Sequence, residues 1–520
     1  MVAHTHPLPV AADSAGGAGR EWLLFALLLV VAFLIRFSLE PANTIFYDEA
    51  VNATLGAEVL AGDFSQNATA WTFGSYLYPL TAGTADAIGG DVGLRLWSAA
   101  LGMVMLLGVF GTTRRLFGLR AALWAALLFG LAGGSIGLGQ MAVYDSLSAP
   151  LLSLALLCMV NAAFAEGRAM RVYLLAAGVL YSLSALSKYI ALLYFPALFL
   201  AGIALFLAGF TLFLGRERPL QQLFMWFVPV VTLILGAYLL LNHEALLFML
   251  ANSGTLLRVE SNRSEIVWTI VAEIGPLLPA VLAGVWFVRT SDAYRGGERP
   301  RWIRVVLPLL ILALLLAVFT APLYQIVSRN IQSLWKHLVF ASLFLAPLAG
   351  FGIERMTQVV RQPGRRGLAL RLGYALVLVL AVGSFVKAGL DRNWGLQHSW
   401  PNASGAIEYL RGADWNLDMR VLAEQAAVYE YYFDLGPNDR DVWSNTFYME
   451  YRELRGLDAM LKGIEDRYFT HVILDDYYTP EKNQAIEAAL QQHGYVEVYR
   501  DPVPQELSTG QTIEIRIYER

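Results

Sequence analysis

Residues 22–35 read WLLFALLLVVAFLI, and equally unbroken apolar runs return at 189–215 and 305–320. A bilayer core about 30 Å thick takes roughly 20 such residues per helix, so these runs belong in lipid. Working outward from them, further apolar stretches fall near 93–111, 121–139, 147–165, 172–187, 222–241, 269–288, 337–353 and 372–389. The pattern predicts an all-α polytopic membrane protein with about eleven transmembrane helices. Composition agrees: of 520 residues 57% are apolar and only 15% charged, with a mean hydropathy of +0.50. A transmembrane β-barrel, whose strands alternate apolar with polar, is excluded by the unbroken runs. A net charge of −4 offers no global attraction to nucleic acid, and the single cysteine, Cys158, permits neither an intramolecular disulfide nor a Cys-based zinc site.

Basic residues set the expected orientation, because Lys and Arg accumulate in short cytoplasmic loops. Arg114, Arg115 and Arg120 share one loop, Arg168 and Arg171 the next alternate one, and Arg216 with Arg218 the one after. The loops at 289–304 and 355–371 are basic in the same way, whereas residues 39–94 hold no Lys or Arg at all. The alternation predicts a plasma-membrane protein with a cytoplasmic N-terminus. Its Ala/Gly-rich tail, 1–20, reads as disordered, and 22–38 as a retained anchor. The membrane domain then spans 21–390. Beyond it charges return, and 391–520 reads as a small extracytoplasmic α/β domain, with strands at 470–475, 495–499 and 512–518 and a helix at 481–493.

Candidate chemistry collects on the outer side. Asp48-Glu49 follows the first span closely and precedes a helical pattern, Val51, Leu55 and Val59, that Gly62 stops. Asp48 is then either a helix N-cap, with Glu49 in the first turn, or a functional carboxylate at the membrane surface. Asp145 lies in the short connection before 147–165. Arg36, Arg95 and Lys188 stand where hydrocarbon begins, a costly position unless a charge snorkels, is paired or is functional. The outer loops add His243, Arg258, Arg263, Arg329, Lys336 and His337, a set suited to clamping an anionic headgroup. No Gly-rich phosphate loop, nucleophile elbow or paired metal-binding histidines occur, so no nucleotide cofactor is expected.

Several of these residues sit in motifs. Arg36, Tyr47-Asp48-Glu49-Ala50, Leu60-Ala61-Gly62-Asp63, Arg95-Leu96-Trp97-Ser98-Ala99 and Arg114-Arg115-Leu116-Phe117-Gly118 resemble the integral-membrane glycosyltransferases of the C-type fold. The protein O-mannosyltransferase and lipid A aminoarabinose transferase group is the nearest in pattern, over roughly residues 30–200. Two departures are Trp97 in place of the group's proline and Lys336-His337 in place of its late Arg-Tyr. The resemblance implies transfer of a sugar, with inversion, from a polyprenyl-phosphate donor to a lipid, glycan or protein acceptor at the outer face. It places Asp48 on the essential first-loop acid and Asp145 on a second acid. Asp48 and Glu49 would serve proton transfer, with Asp145. Arg95, Lys188, Arg329, Lys336 and His337 would hold the donor phosphate. A divalent cation, Mg²⁺ or Mn²⁺, would take oxygen ligands from Asp48, Glu49 or Asp145. The alternative is a transporter or flippase-associated protein that binds the same lipid-linked sugars without breaking a bond. A reporter active only in the cytoplasm, fused after Arg520, is expected to stay silent; a signal from it would overturn the orientation.

Overall fold

The computed structural model describes residues 18–520 apart from 41, 65–74, 213–218, 253–261, 291–302, 330, 332, 362–367, 413–417, 434–441 and 448. Most of the tail expected at 1–20, and Arg258, therefore lie outside the described residues. The chain is a mainly helical multi-pass membrane protein with a small strand-containing domain near its C-terminus. The first apolar run forms α1 (Ala18–Phe37). From Leu77 onward, nine helices among the described residues are long and apolar enough to cross a membrane, or ten if a bent pair counts as one span. That pair is α4 (Leu119–Leu131) and α5 (Gly133–Gln140), which meet at 66° around Ala132.

Two compact units emerge. The first joins residues up to Phe37, the segment Gln66–Tyr78, and Ser98–Arg392. Here α6 (Tyr144–Phe164) packs on α7 (Gly167–Ser187), and Lys188 ends α7 before a 3₁₀ turn leads into α8 (Phe195–Leu212). The thin Ser187-Lys188 connector thus separates two elements. At the centre of this unit runs the helix Leu334–Arg361, buried over almost its whole length.

The second unit joins Ser38–Ser65 and Pro79–Trp97 to Asn393–Arg520. Among the described residues of the segment 39–94, α2 (Tyr47–Leu60) lies where helical spacing predicts it, and the start of α3 (Leu77–Phe117), set off by Gly90 at φ 61°, is a helix where a loop was expected. Hydropathy missed that portion because its Ala, Thr and Gly positions make no apolar run. Its acids are structural: Tyr431 donates to Asp86 at 2.6 Å and Tyr432 to Asp91 at 3.4 Å.

The rest of the unit is a mixed sheet. Its strands are β1 (Val421–Ala423), β2 (Trp443–Asn445), β3 (Glu450–Tyr451), β4 (Leu454–Arg455), β5 (His471–Leu474), β6 (Val496–Arg500), β7 (Gln505–Glu506), β8 (Thr512–Ile513) and β9 (Arg516–Glu519). Five of them align in the order β2-β1-β5-β9-β6, with β2, β1 and β5 parallel and β9 antiparallel to both neighbours. Alternation sorts the side chains to two layers. Val421, Ala423 and Ile473 enter one core and Leu422, Val472 and Leu474 the other. Ile45 and Ala50, from the loop before α2 and from α2 itself, complete the first core. The expected strands at 470–475 and 495–499 and the helix at 481–493 correspond to β5, β6 and Pro480–Gln492. The period-two run 512–518 is divided between β8 and β9, while β1 and β2, three residues each, left no periodic signal.

One close approach in this unit is sharply testable. A Cβ at Gly56 would lie 2.2 Å from the Pro79 carbonyl oxygen and 2.6 Å from the Gly83 Cα, so α2 and the start of α3 touch backbone to backbone. Gly56→Ala is expected to cost about 1–3 kcal/mol through forced separation, read as a lower thermal midpoint in detergent.

Candidate active site

In the second unit the site begins with the start of α2. Its N-cap is Phe46, not Asp48, and Asp48 sits in the first turn, where a carboxylate is favoured by the helix dipole. The capping work falls to Glu49, whose Oε2 accepts the Phe46 N–H at 2.7 Å. That corrects the expectation of Asp48 as cap: a three-residue reach-back from the first turn satisfies the exposed N–H more closely. Glu49 is fully buried and also accepts from Arg95 Nη2 at 3.2 Å.

Arg95 is committed to its own loop. Nη1 donates to the carbonyls of Leu39, Glu40 and Asn43 at 3.0, 3.2 and 2.7 Å, and Nη2 to that of Thr44 at 2.8 Å. At 2% exposure it neither snorkels nor presents a fork to a phosphate. Its role is to fold residues 39–44 so that α2 starts where it does. Trp400 Nε1 adds a bond to the Thr44 carbonyl at 3.0 Å, and Asn43 Nδ2 reaches the Gln397 and Trp400 carbonyls at 3.2 and 3.1 Å.

The first unit holds the other candidates. Arg36, for which snorkelling, pairing and a functional role all stood open, is 1% exposed and so does not snorkel. It donates to the Gly130 carbonyl through both Nη atoms at 3.3 Å and to Ser135 Oγ at 2.9 Å. The break at Ala132 removes intrahelical partners from the last α4 carbonyls, and a guanidinium supplies one. At the start of α5, Glu273 Oε2 accepts the Gly134 N–H at 3.2 Å, and Arg392 pairs with that carboxylate. Ser146 Oγ then donates to the Leu138 and Met141 carbonyls at 2.7 and 2.6 Å, fixing the turn from α5 into α6.

Asp145 stands in the first turn of α6, buried, with Oδ2 3.9 Å from Lys188 Nζ. Lys336 and His337, in the first turn of Leu334–Arg361, act electrostatically on the same carboxylate. The fold therefore brings Asp145, Lys188, Lys336 and His337 into one cluster. Lys188 is stacked over the rings of Tyr144 and Tyr189, 5.0 and 5.4 Å from their centroids. His337 Nδ1 lies 3.1 Å from Gln325 Nε2, while Nε2 of His337 is buried and has no hydrogen-bond partner among the described residues. When the Gln325 amide donates to Nδ1, a neutral ring carries its proton on Nε2, where it can donate to an oxyanion. Arg329 is exposed on the turn before this helix, at φ 51°, and makes no hydrogen bond or ion pair with the cluster among the described residues. Gln325 carried no signal in the sequence, since a lone glutamine in an apolar helix points to no particular chemistry.

Asp145 is hemmed in by cationic groups, Glu49 is paired with Arg95, and no three His, Cys, Asp or Glu side chains come together as a metal requires among the described residues.

The family model for dolichyl-phosphate-mannose-protein mannosyltransferase matches residues 42–252. No curated protein sequence matches the chain. Among solved structures, apo ArnT from Cupriavidus metallidurans is similar with a TM-score of 0.61 at 16% identity, over 96% of this chain and 98% of that one. The same protein bound to undecaprenyl phosphate aligns with a TM-score of 0.56 at 15% identity, over the same shares of the two chains, 96% and 98%. The oligosaccharyltransferase AglB from Archaeoglobus fulgidus, in complex with an inhibitory peptide and a dolichol-phosphate, aligns with a TM-score of 0.51 at 14% identity, over 95% of this chain and 74% of that one. The chain thus has the C-type fold of integral-membrane glycosyltransferases, and the matched family and structures are glycosyltransferases.

The separate roles of the adjacent acids can be measured. Glu49→Ala leaves a buried guanidinium without its carboxylate and is expected to cost about 3–5 kcal/mol. Glu49→Gln, which keeps an acceptor oxygen, should cost less. Asp48→Ala removes no cap and should leave the thermal midpoint of the purified protein near that of the wild type.

Proposed function

We propose that this protein is an inverting glycosyltransferase that moves a sugar from a polyprenyl-phosphate carrier to an acceptor hydroxyl at the outer face of the plasma membrane. The observation that carries the reading is the cluster in the first unit: Lys188, Lys336 and His337 gather around Asp145, and the buried His337 Nε2 has no hydrogen-bond partner among the described residues. Cations gathered at the edge of an apolar bundle suit an anionic ligand. A phosphate monoanion or dianion is that ligand. The complexes of the matched folds with undecaprenyl phosphate and dolichol-phosphate support this choice.

In the reaction the acceptor oxygen attacks the anomeric carbon opposite the phosphate, and the bond from that carbon to the phosphate oxygen breaks. The electron pair leaves with the polyprenyl phosphate, whose growing charge meets Lys336, Lys188 and the His337 N–H. The acceptor proton passes to a carboxylate acting as general base. Asp48 takes that role, because Glu49 is bound to Arg95 and the Phe46 N–H. Asp145 orients the two lysines. Arg329 adds an exposed guanidinium just before the helix of Lys336 and His337, and Arg95 is a positioning residue.

A transporter of lipid-linked sugars would use the ends of a broken helix to hold substrate. In α4 and α5 those ends are already taken by Arg36 and Glu273, so the enzymatic reading is preferred. The cytoplasmic N-terminus and outer C-terminal domain are part of this proposal, resting on the alternation of basic loops.

Two substitutions test the roles separately. Asp48→Asn should fold, bind the lipid donor, and lose turnover by a factor on the order of 10²–10⁴, as for a lost general base. Lys336→Ala should weaken binding of a polyprenyl-phosphate sugar by about 1.5–3 kcal/mol, with free sugar binding poorly throughout. Wild-type turnover in Asp48→Asn would remove the proposal's base, and unchanged donor affinity in Lys336→Ala would remove its phosphate clamp.

A further inference from the structure

In open α/β sheets, ligands lodge outside the carboxyl ends of parallel strands, where successive connections run to opposite sides. The small sheet has such a point. From β1 the chain goes to β2 on one flank, and from β2 it returns to β5 on the other, so the crevice opens between β1 and β5. Glu424 follows β1 and Asp475 follows β5.

An anion commonly fills this place in folds of the type, held by backbone N–H groups. Here the protein fills it with its own carboxylate. Glu424, fully buried, accepts the N–H groups of Asp475, Asp476, Tyr478 and Thr479 at 2.9, 2.8, 3.1 and 2.9 Å, and the Asn483 amide at 2.6 Å. Asp475 lies beside it, buried, its carboxyl raised well above the usual range by burial and by the Glu424 charge. A phosphate-bearing ligand meets a filled cradle and negative charge here.

What the loops beyond these strands do present is a group of rings. Phe447 follows β2, Tyr477 and Tyr478 follow β5, and Tyr47 comes from α2, one residue before Asp48. Tyr47 meets Tyr478 edge to face at 5.8 Å and Phe447 at 6.5 Å, Phe447 meets Tyr478 at 5.1 Å, and Tyr477 meets Tyr478 at 4.5 Å. All four residues are half-buried. Tyr477 donates to the Ser399 carbonyl at 2.9 Å, whereas the Tyr478 hydroxyl makes no hydrogen bond among the described residues. Asp48 acts on both tyrosines: burial, Asp475 and Asp48 together push the Tyr477 hydroxyl up to about 12, and burial, Tyr477 and Asp48 raise that of Tyr478 further.

We propose that Tyr47, Phe447 and Tyr478 form a shelf for a neutral saccharide acceptor, which stacks the C–H face of a sugar ring on them and presents a hydroxyl to Asp48. This rests on the glycosyltransferase reading and names the acceptor class for it. Aromatic walls with a few directed polar groups suit a ring that is apolar on its face and hydroxylated at its edge. The nearby carboxylates Asp48 and Glu424 select against an anionic acceptor.

The test uses the full chain in nanodiscs. Mannotriose, maltotriose and cellotriose are compared with glucose 1-phosphate and a Ser/Thr-rich decapeptide by saturation-transfer NMR, with binding of a polyprenyl-phosphate sugar measured in parallel. At least one trisaccharide is expected to bind, and Tyr478→Ala and Phe447→Ala to weaken it about tenfold or more, the size of a lost aromatic contact. Tyr478→Phe, which keeps the ring, should lose less; with Phe447→Leu it decides the matter if an alanine variant fails to fold. Absence of trisaccharide binding, indifference to these variants, or preference for the phosphate or the peptide would each overturn the shelf while donor binding by the wild type stood. Failure of the wild type to bind the lipid donor would instead overturn the glycosyltransferase reading beneath it.

Discussion

Backbone groups in hydrocarbon have no water to turn to, so a helix that breaks inside the membrane must be capped by the protein itself. The break at Ala132 meets this demand at both ends with charge: Arg36 on the α4 carbonyl of Gly130, Glu273 on the α5 N–H of Gly134, and Arg392 balancing Glu273. Opposite charges complement opposite helix ends, as the dipoles require. The rest of the first unit depends on that junction. It turns α5 by 66°, seats the buried Gly133–Gln140 segment, and delivers the chain through Ser146 to Asp145 at the head of α6. Arg36 fits only because Gly102 and Gly139 leave room, a Cβ at Gly139 lying 2.5 Å from the Arg36 Cδ.

The second unit repeats the device in a different setting. Loop 39–44 turns four carbonyls inward, and one guanidinium, Arg95, satisfies them while pairing with Glu49. Ile45 and Ala50 then enter the core of the small α/β layer, so the start of α2 is held by that layer's packing. Asp48 keeps the position in the first turn that capping does not occupy. In both units an arginine organises backbone by meeting carbonyls that the helices leave open.

This role of the arginines bears on how much of the site was readable. Asp48, Asp145, Lys188, Lys336 and His337 stood out because charge next to apolar runs needs a reason, and the fold does collect the last four. Arg36 and Arg95 stood out for the same reason yet serve structure, since a sequence displays a guanidinium without the carbonyls it will meet. The N-cap moved from Asp48 to Phe46 because spacing alone does not say which of two adjacent acids reaches back. Tyr47 stood in a motif, but its meeting with Phe447 and Tyr478 did not show: these contacts join segments about 400 residues apart, and such proximity has no local signature.

What the sequence by itself determined is the solvent and the layering. Apolar run length requires a bilayer, alternation of basic loops gives an expected orientation, and short stretches that alternate or cluster apolar residues, such as those of β5, β6 and β9, announce a small sheet. These properties are local, because hydrophobic burial depends on composition and period over a few turns or strands. Tertiary structure decided the rest: where a membrane helix breaks, which arginine caps it, and which of two adjacent acids reaches back to the start of α2. Those outcomes depend on satisfying particular N–H and C=O groups at distances near 3 Å, and only the assembled chain determines which donor reaches which acceptor.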